Sequence, residues 1–322
     1  MKIAHISDLH LNTLFTDSNL RKIKKLLAYI NLQNPDHLVI TGDLTDNADE
    51  SDLKIIRKLL IKNNFLDGRK CSIIPGNHDI YGGPQKAEDL FTYPDRCRKT
   101  DYHQTVSLFN NSLIELFDDC VYRSVINFYP YAKLIGDTLI VGVNSNAEYS
   151  RFSNPFASNG EISLSQFNEI TEILTKYRNS VNKVIILIHH HFHKLKSRSS
   201  SIAGLWQNIE KQTMKLRNKK RLFNLFNQFK VDMVLHGHIH RSDDYSRKGI
   251  RFLNGGASVK GLSDRGACVN FLYITKHNIE TELHKLNRDG SVSIEMFKVK
   301  EYYEVTPEGV IETKQEPVTG II

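Results

Sequence analysis

Residues with metal-ligand chemistry recur in this chain at the ends of apolar runs. Asp8 and His10 follow Lys2–Ile6, Asp43 follows His37-Leu38-Val39-Ile40-Thr41, and Asn77 and His78 follow Cys71–Ile74. Further on, His189 follows Val184–Ile188, and His238 and His240 follow Val231–Leu235. Carboxylates, an amide oxygen and imidazoles, with no thiolate, form a hard-to-borderline set that suits Mn, Fe, Zn or Co better than Ca or Mg alone. The same inventory disfavours a structural zinc site. The spacings Asp-x-His and His-x-His put alternate side chains on one side of an extended segment, so both members of each pair can reach one centre. These groups outnumber the ligands of one tetrahedral ion, and two ions sharing an Asp account for them economically. Pro75-Gly76-Asn77-His78-Asp79 is the most telling stretch. A turn explains Pro-Gly, but three polar side chains leaving a strand together suggest a shared task. A single His at a strand end is more often a hydrogen-bonded structural residue, and that reading is kept for His5, His37, His103, His193, His277 and His284.

The elements that must position these groups are legible in the apolar spacing. Leu20, Ile23, Leu26, Leu27 and Ile30 predict an amphipathic helix over about 18–32, and Leu53, Ile56, Leu59 and Leu60 mark a second. Strand, helix, strand, helix, strand is the rhythm of a parallel sheet. All three strands release their polar clusters at their C-terminal ends, the edge where open α/β sheets bind ligands. Residues 80–124 read as an inserted cap with a helix from Val106 to Phe117. Val125–Tyr129 and Thr138–Val143 read as adjacent strands, and Ser163 with Gln166 as a capping box for a helix bearing Phe167, Ile170, Leu174 and Tyr177. One or two helices are expected within 205–229. Beyond His240 the pattern is β only: Arg251–Leu253, Ala267–Thr275, Asn278–Leu286 and Ser291–Val299, with Asn287–Gly290 as a hairpin turn. The expected organisation is one domain over 1–286 with the cap at about 80–124, and a β-rich extension over 287–322 packed on it.

The 322 residues suffice for a large core, and 40% apolar with 25% charged residues is ordinary for a globular protein. No apolar run is long enough to span a bilayer, and Met1–Ile6 is too short for a signal-peptide core. The widely spaced Cys71, Cys97, Cys120 and Cys268 read as reduced thiols, so the expected location is the cytoplasm. Net charge is +7, yet Lys194–Lys230 alone carries ten Lys/Arg against Glu210. That stretch reads as a solvated helix face or as a positive wall that draws phosphate-rich molecules, nucleic acid included.

Ser7-Asp8-Leu9-His10, Thr41-Gly42-Asp43, Gly76-Asn77-His78-Asp79, His189 and Gly237-His238-Ile239-His240 together resemble the signature blocks of the calcineurin-like binuclear metallophosphoesterases, in their order and spacing. The short Asp-Leu-His-Leu opening and compact β-rich ending look most like the class III cyclic-nucleotide phosphodiesterase branch. The resemblance implies an α/β fold, a four-layer α/β/β/α sandwich of two mixed sheets flanked by helices. It implies two divalent transition-metal ions. Asp8, His10 and His240 would hold the first, Asn77, His189 and His238 the second, and Asp43 would bridge them. Where the family usually has His-His-Pro this chain has His189-His190-His191, and His189, first off the strand, is taken as the ligand. His78 would stabilise the transition state or protonate the leaving group; Asp79 either orients His78 or caps the following turn. The expected activity is hydrolysis of a phosphodiester, of a nucleotide or other small diester, by an activated hydroxide. The alternatives are a nuclease, a phosphomonoesterase and a non-catalytic scaffold. Asn144, Arg151 and Arg241 are candidate substrate contacts, and His236 is an extra imidazole outside the pattern.

Overall fold

The computed structural model describes residues 1–14, 18–84, 88–192, 216–240, 242–256, 258–259, 265–297 and 299–302. The parallel core forms where the apolar runs predict it: β1 (Lys2–Ile6), α1 (Ser18–Leu32), β2 (His37–Thr41), α2 (Glu50–Lys62) and β3 (Cys71–Ile74). The described residues continue with α3 (Asn77–Ile80), α4 (Asp89–Lys99), α5 (Tyr102–Ser112), β4 (Tyr122–Ser124), β5 (Phe128–Ile135), β6 (Thr138–Gly142), α6 (Leu164–Tyr177) and β7 (Lys183–Leu187). After α7 (Lys219–Gln228) come β8 (Met233–His236), β9 (Ser242–Arg247), β10 (Ile250–Gly255), β11 (Arg265–Ile274), β12 (Ile279–Asn287), β13 (Val292–Met296) and β14 (Lys300–Tyr302).

Both sheets are mixed. The first has the order β13-β12-β11-β1-β2-β3 and the second β14-β9-β10-β8-β7-β6-β5-β4. β1, β2 and β3 run parallel, as do β6, β7, β8 and β10, while β11 returns antiparallel beside β1. The sheets pack face to face, which explains the continuous apolar run of β7. Ile185 and Leu187 join the core shared with the first sheet, and Val184 and Ile186 pack with α6 and α7. A strand covered on both faces cannot alternate polar and apolar residues. The expected four-layer α/β/β/α sandwich is the observed fold.

Several local expectations shift. Of the strand expected at Val125–Tyr129, Phe128 and Tyr129 open β5, whereas 125–127 form the turn between β4 and β5 and Val125 is 98% exposed. The helix expected from Val106 starts earlier and ends at Ser112, a 3-10 turn (Ile114–Phe117) following it. Ser163 caps α6 by accepting from Gln166 N at 3.2 Å. The reciprocal half of the box does not form, because the Gln166 amide pairs instead with the backbone of Asn144. Of the expected helices within 205–229, α7 is observed and 205–215 lie outside the described residues.

Candidate metal centre

The polar groups meet where the parallel strands of both sheets end, but not by alternation along extended segments. Asp8, His10, Asp43 and His238 all sit at positive φ, between 44° and 72°. Left-handed backbone at a non-glycine residue costs on the order of 1–3 kcal/mol, so the surrounding structure must enforce it. It does so with a zipper of loop hydrogen bonds. Asp8 N donates to Gly42 O (3.0 Å), His10 N to Asp43 O (2.9 Å) and Leu11 N to Leu44 O (2.9 Å). Tight curls, not strand alternation, turn each pair inward. The loops also approach too closely for side chains. A Cβ on Gly76 would fall 2.1 Å from Asp43 Oδ1, and one on Gly237 would fall 1.9 Å from Ser7 Oγ.

Two of the three ligand-rich clusters among the described residues hold the expected ligands: Asp8, His10 and His240, and Asp43, His189 and His238. Asp43 Oδ2 lies between them, 3.6 Å from His10 Nε2 and 3.4 Å from His189 Nε2. His10 Nε2 is 3.1 Å from His240 Nε2, and His238 Nδ1 is 3.1 Å from His189 Nε2. Two nitrogens each bound at about 2.0–2.1 Å to one ion stand about 2.9 Å apart at a right angle and about 3.4 Å apart at the tetrahedral angle. The observed approaches fall inside that interval in both clusters. Asn77 Oδ1 is buried and accepts no hydrogen bond from protein, and an orphaned buried amide oxygen costs about 1–3 kcal/mol unless something binds it. These residues fit a pair of divalent ions with nitrogen and oxygen ligands. Every member is buried except His240, whose side chain is 34% exposed. That side, together with the half-buried His78, is open to solvent.

The electrostatics point the same way. Burial pushes the Asp8 carboxyl up to about 7. For Asp43 burial acts in the same direction but is outweighed by His189, His78 and His10, which hold it well below the usual carboxylate range. His189 opposes its own burial through Asp43 and rises to about 9. Burial and the neighbouring imidazoles His190, His189 and His191 drive His238 far down. Buried carboxylates here favour positive charge beside them, which a divalent cation would supply.

One supporting residue escaped sequence reasoning. Asp46 Oδ1 lies 2.8 Å from His10 Nδ1 and 3.2 Å from His78 Nδ1, so one carboxylate fixes the orientation of both rings. The signal was present as Asp43-Leu44-Thr45-Asp46, but a second Asp in a polar loop reads as turn chemistry. Asp79, for which two roles were open, caps backbone: it accepts from Gly76 N and Thr45 N, both at 2.9 Å. It ties the loop after β3 to the loop after β2, while Asp46 faces His78. His236 turns away from the cluster to Tyr245 OH (3.1 Å).

Of the expected substrate contacts, neither Asn144 nor Arg151 is part of this cluster. Asn144 is buried, with its amide spent on Tyr102 OH and on Asn146. Arg151 is exposed in the loop after β6, and Arg241 lies outside the described residues. Most of 194–230 does too. Of its described cations, Arg217 reaches Glu161 (3.7 Å) and Arg221 lies over the Phe167 ring (4.4 Å). A cavity of about 510 Å³ is lined by Tyr102, Asn144, Asn146, Glu148 and Tyr149 among others, and none of the expected metal ligands lies in its wall. Its wall is joined to both flanks of Asn77. Asn146 Nδ2 donates to Pro75 O (3.1 Å), and Tyr81 OH donates to Ala147 O (3.2 Å). Among the described residues no helix is long and apolar enough to cross a membrane.

Comparison with known proteins agrees with this geometry. A probable cyclic nucleotide phosphodiesterase of Ruthia magnifica subsp. Calyptogena magnifica is 24% identical over 258 residues, 78% of this chain and 83% of that protein. The metallophosphoesterase YkuE of Bacillus subtilis is 37% identical over 117 residues, 36% of this chain and 39% of that protein. A dimetal phosphatase from Danio rerio superposes with a TM-score of 0.55 at 12% identity, covering 92% of this chain and 99% of that one. The purple acid phosphatase of yellow lupin does so at 0.56 and 15%, covering 94% of this chain and 54% of that one. Both structural likenesses speak to the fold alone. The family model of the calcineurin-like phosphoesterases matches residues 1–242, the span that carries every expected ligand, and the chain belongs to that family.

Proposed function

We propose that the protein is a binuclear metal-dependent phosphodiesterase acting on a nucleotide or other small diester. The observation that carries this reading is the shared carboxylate. Asp43 Oδ2 stands within 3.6 Å of imidazoles from both clusters, and its Oδ1 accepts from the N–H of His78, next in the chain to the orphaned Asn77. Asp8, His10 and His240 would hold one ion, Asn77, His189 and His238 the other, and Asp43 both. When bound, such a pair lowers the pKa of water and offsets charge on the attacking and leaving oxygens of an in-line displacement. The chain's own residues then orient and protonate. His78, half-buried on the open side with Nδ1 held by Asp46, is placed to donate to a departing alkoxide. Asp46 keeps His10 and His78 in one arrangement. The Ruthia relative named as a probable cyclic nucleotide phosphodiesterase favours a nucleotide as the ester.

Chelator-stripped protein, reloaded with Mn, Fe, Zn or Co, should hydrolyse bis-p-nitrophenyl phosphate and a cyclic nucleotide faster than p-nitrophenyl phosphate or single-stranded DNA. No turnover of any of these with two ions bound would sink the enzymatic reading. A strong preference for the monoester or for DNA would move the assignment to a phosphomonoesterase or a nuclease.

A further inference from the structure

Among the described residues the first sheet ends in β13, and the hydrogen-bond parity of that strand decides what its outer edge offers. Asn287 N donates to Ser291 O (2.9 Å) and Phe297 N to Thr281 O (3.3 Å), with β12 and β13 antiparallel between these points. In an antiparallel pair the inward-bonded residues alternate with outward-facing ones. Residues 291, 293, 295 and 297 therefore spend their backbone groups on β12, and Val292, Ile294 and Met296 aim theirs outward. Those same residues carry the exposed apolar side chains of the strand, at 39%, 57% and 62% exposure. In register they oppose Leu286, His284 and Glu282. His284 is buried under α1, whose Tyr29 OH lies 2.7 Å from its ring. The apolar stripe thus extends the helix-covered face one strand beyond the helix.

Edge strands are normally blunted by charge, proline or a bulge. β13 has only Glu295, which is engaged with Lys285 of β12. We infer that β13 is an interaction edge at which a second copy of this chain pairs antiparallel, making one continuous sheet across a two-fold axis at Ile294. The sequence of the strand selects both occupant and register. An axis at Ile294 sets Ile294 against Ile294 and Val292 against Met296, and every outward backbone group of these residues finds a partner. It also sets Ser293 against Glu295, so no like charges oppose. An axis at Glu295 would put Glu295 against Glu295, which is unfavourable. An axis at Ser293 would leave Met296 opposite Gly290. The patch is self-complementary, as a two-fold interface requires. A strand of this length buries less than a standard interface, so association is concentration-dependent.

Sedimentation velocity of the full chain from about 1 to about 200 µM should show the 37.0 kDa species giving way to one of twice the mass. Ile294→Lys, at an exposed position whose inward hydrogen bonds belong to its neighbours, should weaken dimerisation at least ~10-fold, a loss of about 1.4 kcal/mol. Ile294→Cys brings paired Cα atoms to about 5.5 Å, within disulfide range, and should cross-link covalently on oxidation, whereas Ser293→Cys and the parent chain should not. Circular dichroism of each variant establishes that it is folded, and the cross-link reads the same register without a disruptive substitution. A chain that stays monomeric throughout, or a dimer unaffected by Ile294→Lys and not cross-linked through Cys at 294, would overturn the inference. Dimerisation that emerges only after removal of 303–322 would overturn it as well, by assigning the edge to the chain's own C-terminal segment.

Discussion

Two regions of this protein bury ionisable side chains, and they treat them in opposite ways. At the start of β2, His37 is fully buried, with Nδ1 on Arg69 O (2.9 Å) and Nε2 on Ser72 Oγ (2.8 Å). Nearby, the ammonium of Lys133 is wholly enclosed and donates to Gly68 O, Cys71 O and Leu116 O at 2.6–2.7 Å. Every donor there has an acceptor, and the backbone of His37 is ordinary strand. At the other end of β2, Asp43 sits at positive φ among imidazoles whose nitrogens crowd to 3.1 Å, beside an Asn77 oxygen that accepts nothing from protein. Burial alone does not distinguish a functional His from a structural one. Here the two differ in backbone and pairing: the region of His37 and Lys133 is fully paired on ordinary strand, whereas the region of Asp43 is strained and holds the orphaned Asn77 oxygen.

That contrast is broken most directly by exchanging the consequences of substitution. Asp43→Ala should lower kcat/KM for bis-p-nitrophenyl phosphate by ~10³-fold, about 4 kcal/mol of transition-state stabilisation. The metal-free protein should meanwhile lose only about 1–2 kcal/mol of urea stability, because His189 and the His78 N–H give up a carboxylate partner. Lys133→Met should do the reverse. Three buried carbonyls lose their donor, each worth about 1–3 kcal/mol, so unfolding stability should fall by about 3–5 kcal/mol on that count while kcat of the folded protein stays within about twofold. If Asp43→Ala destabilised as much as Lys133→Met, the distinction between the two regions would be lost.

Asp46 tests the boundary, since it belongs to the open region but is itself well paired. Asp46→Asn should lower activity or metal affinity by about 10–100-fold, as removal of a carboxylate that orients a ligating His does elsewhere. The stability change should be under about 1 kcal/mol. Titration of Mn into the stripped variant, followed by isothermal calorimetry, separates lost affinity from lost chemistry. An unaltered affinity with a depressed kcat would show that Asp46 acts through His78 more than through His10.

The same contrast explains what could be read from the chain before its structure. The ligands were legible because each follows an apolar run, and a parallel sheet collects such ends at one edge. How the pairs converge was not legible: alternation predicted extended segments, while Asp8, His10 and His238 reach the centre through left-handed curls that no side-chain pattern encodes. β9 was invisible for a related reason. Its sequence Ser-Asp-Asp-Tyr-Ser-Arg has no apolar alternation, and it is buried through pairing, with Asp244 held by Arg251 and Thr281. α4 carries Pro94 in its interior and, among its described side chains, only Tyr93 and Cys97 as buried anchors, so neither propensity nor spacing marked it. Chemistry at strand ends was readable, whereas elements held by polar pairing were not.

The smallest expected effect is also the cleanest test of the paired region, because it lies away from the metal centre. Burial, reinforced by the charge of Lys133, pulls the His37 imidazole down from 6.5 to about 3. In the unfolded chain it titrates near 6.5. Between these values the unfolded state binds the extra proton, so stability rises with pH across that window and is lost as pH falls from about 6.5 towards about 3. One such group contributes a slope approaching about 1.4 kcal/mol per pH unit below its unfolded pKa, and so about 2 kcal/mol between neutral pH and pH 5. Urea unfolding of His37→Gln should be flatter than the parent by roughly that amount over this range, with the two curves parallel above pH 7. His5, also drawn to about 3 by burial and His236, remains in both proteins and cancels in the comparison. Parallel curves down to pH 5 would mean that His37 is protonated in the folded protein, and that the paired region tolerates charge as the metal centre does.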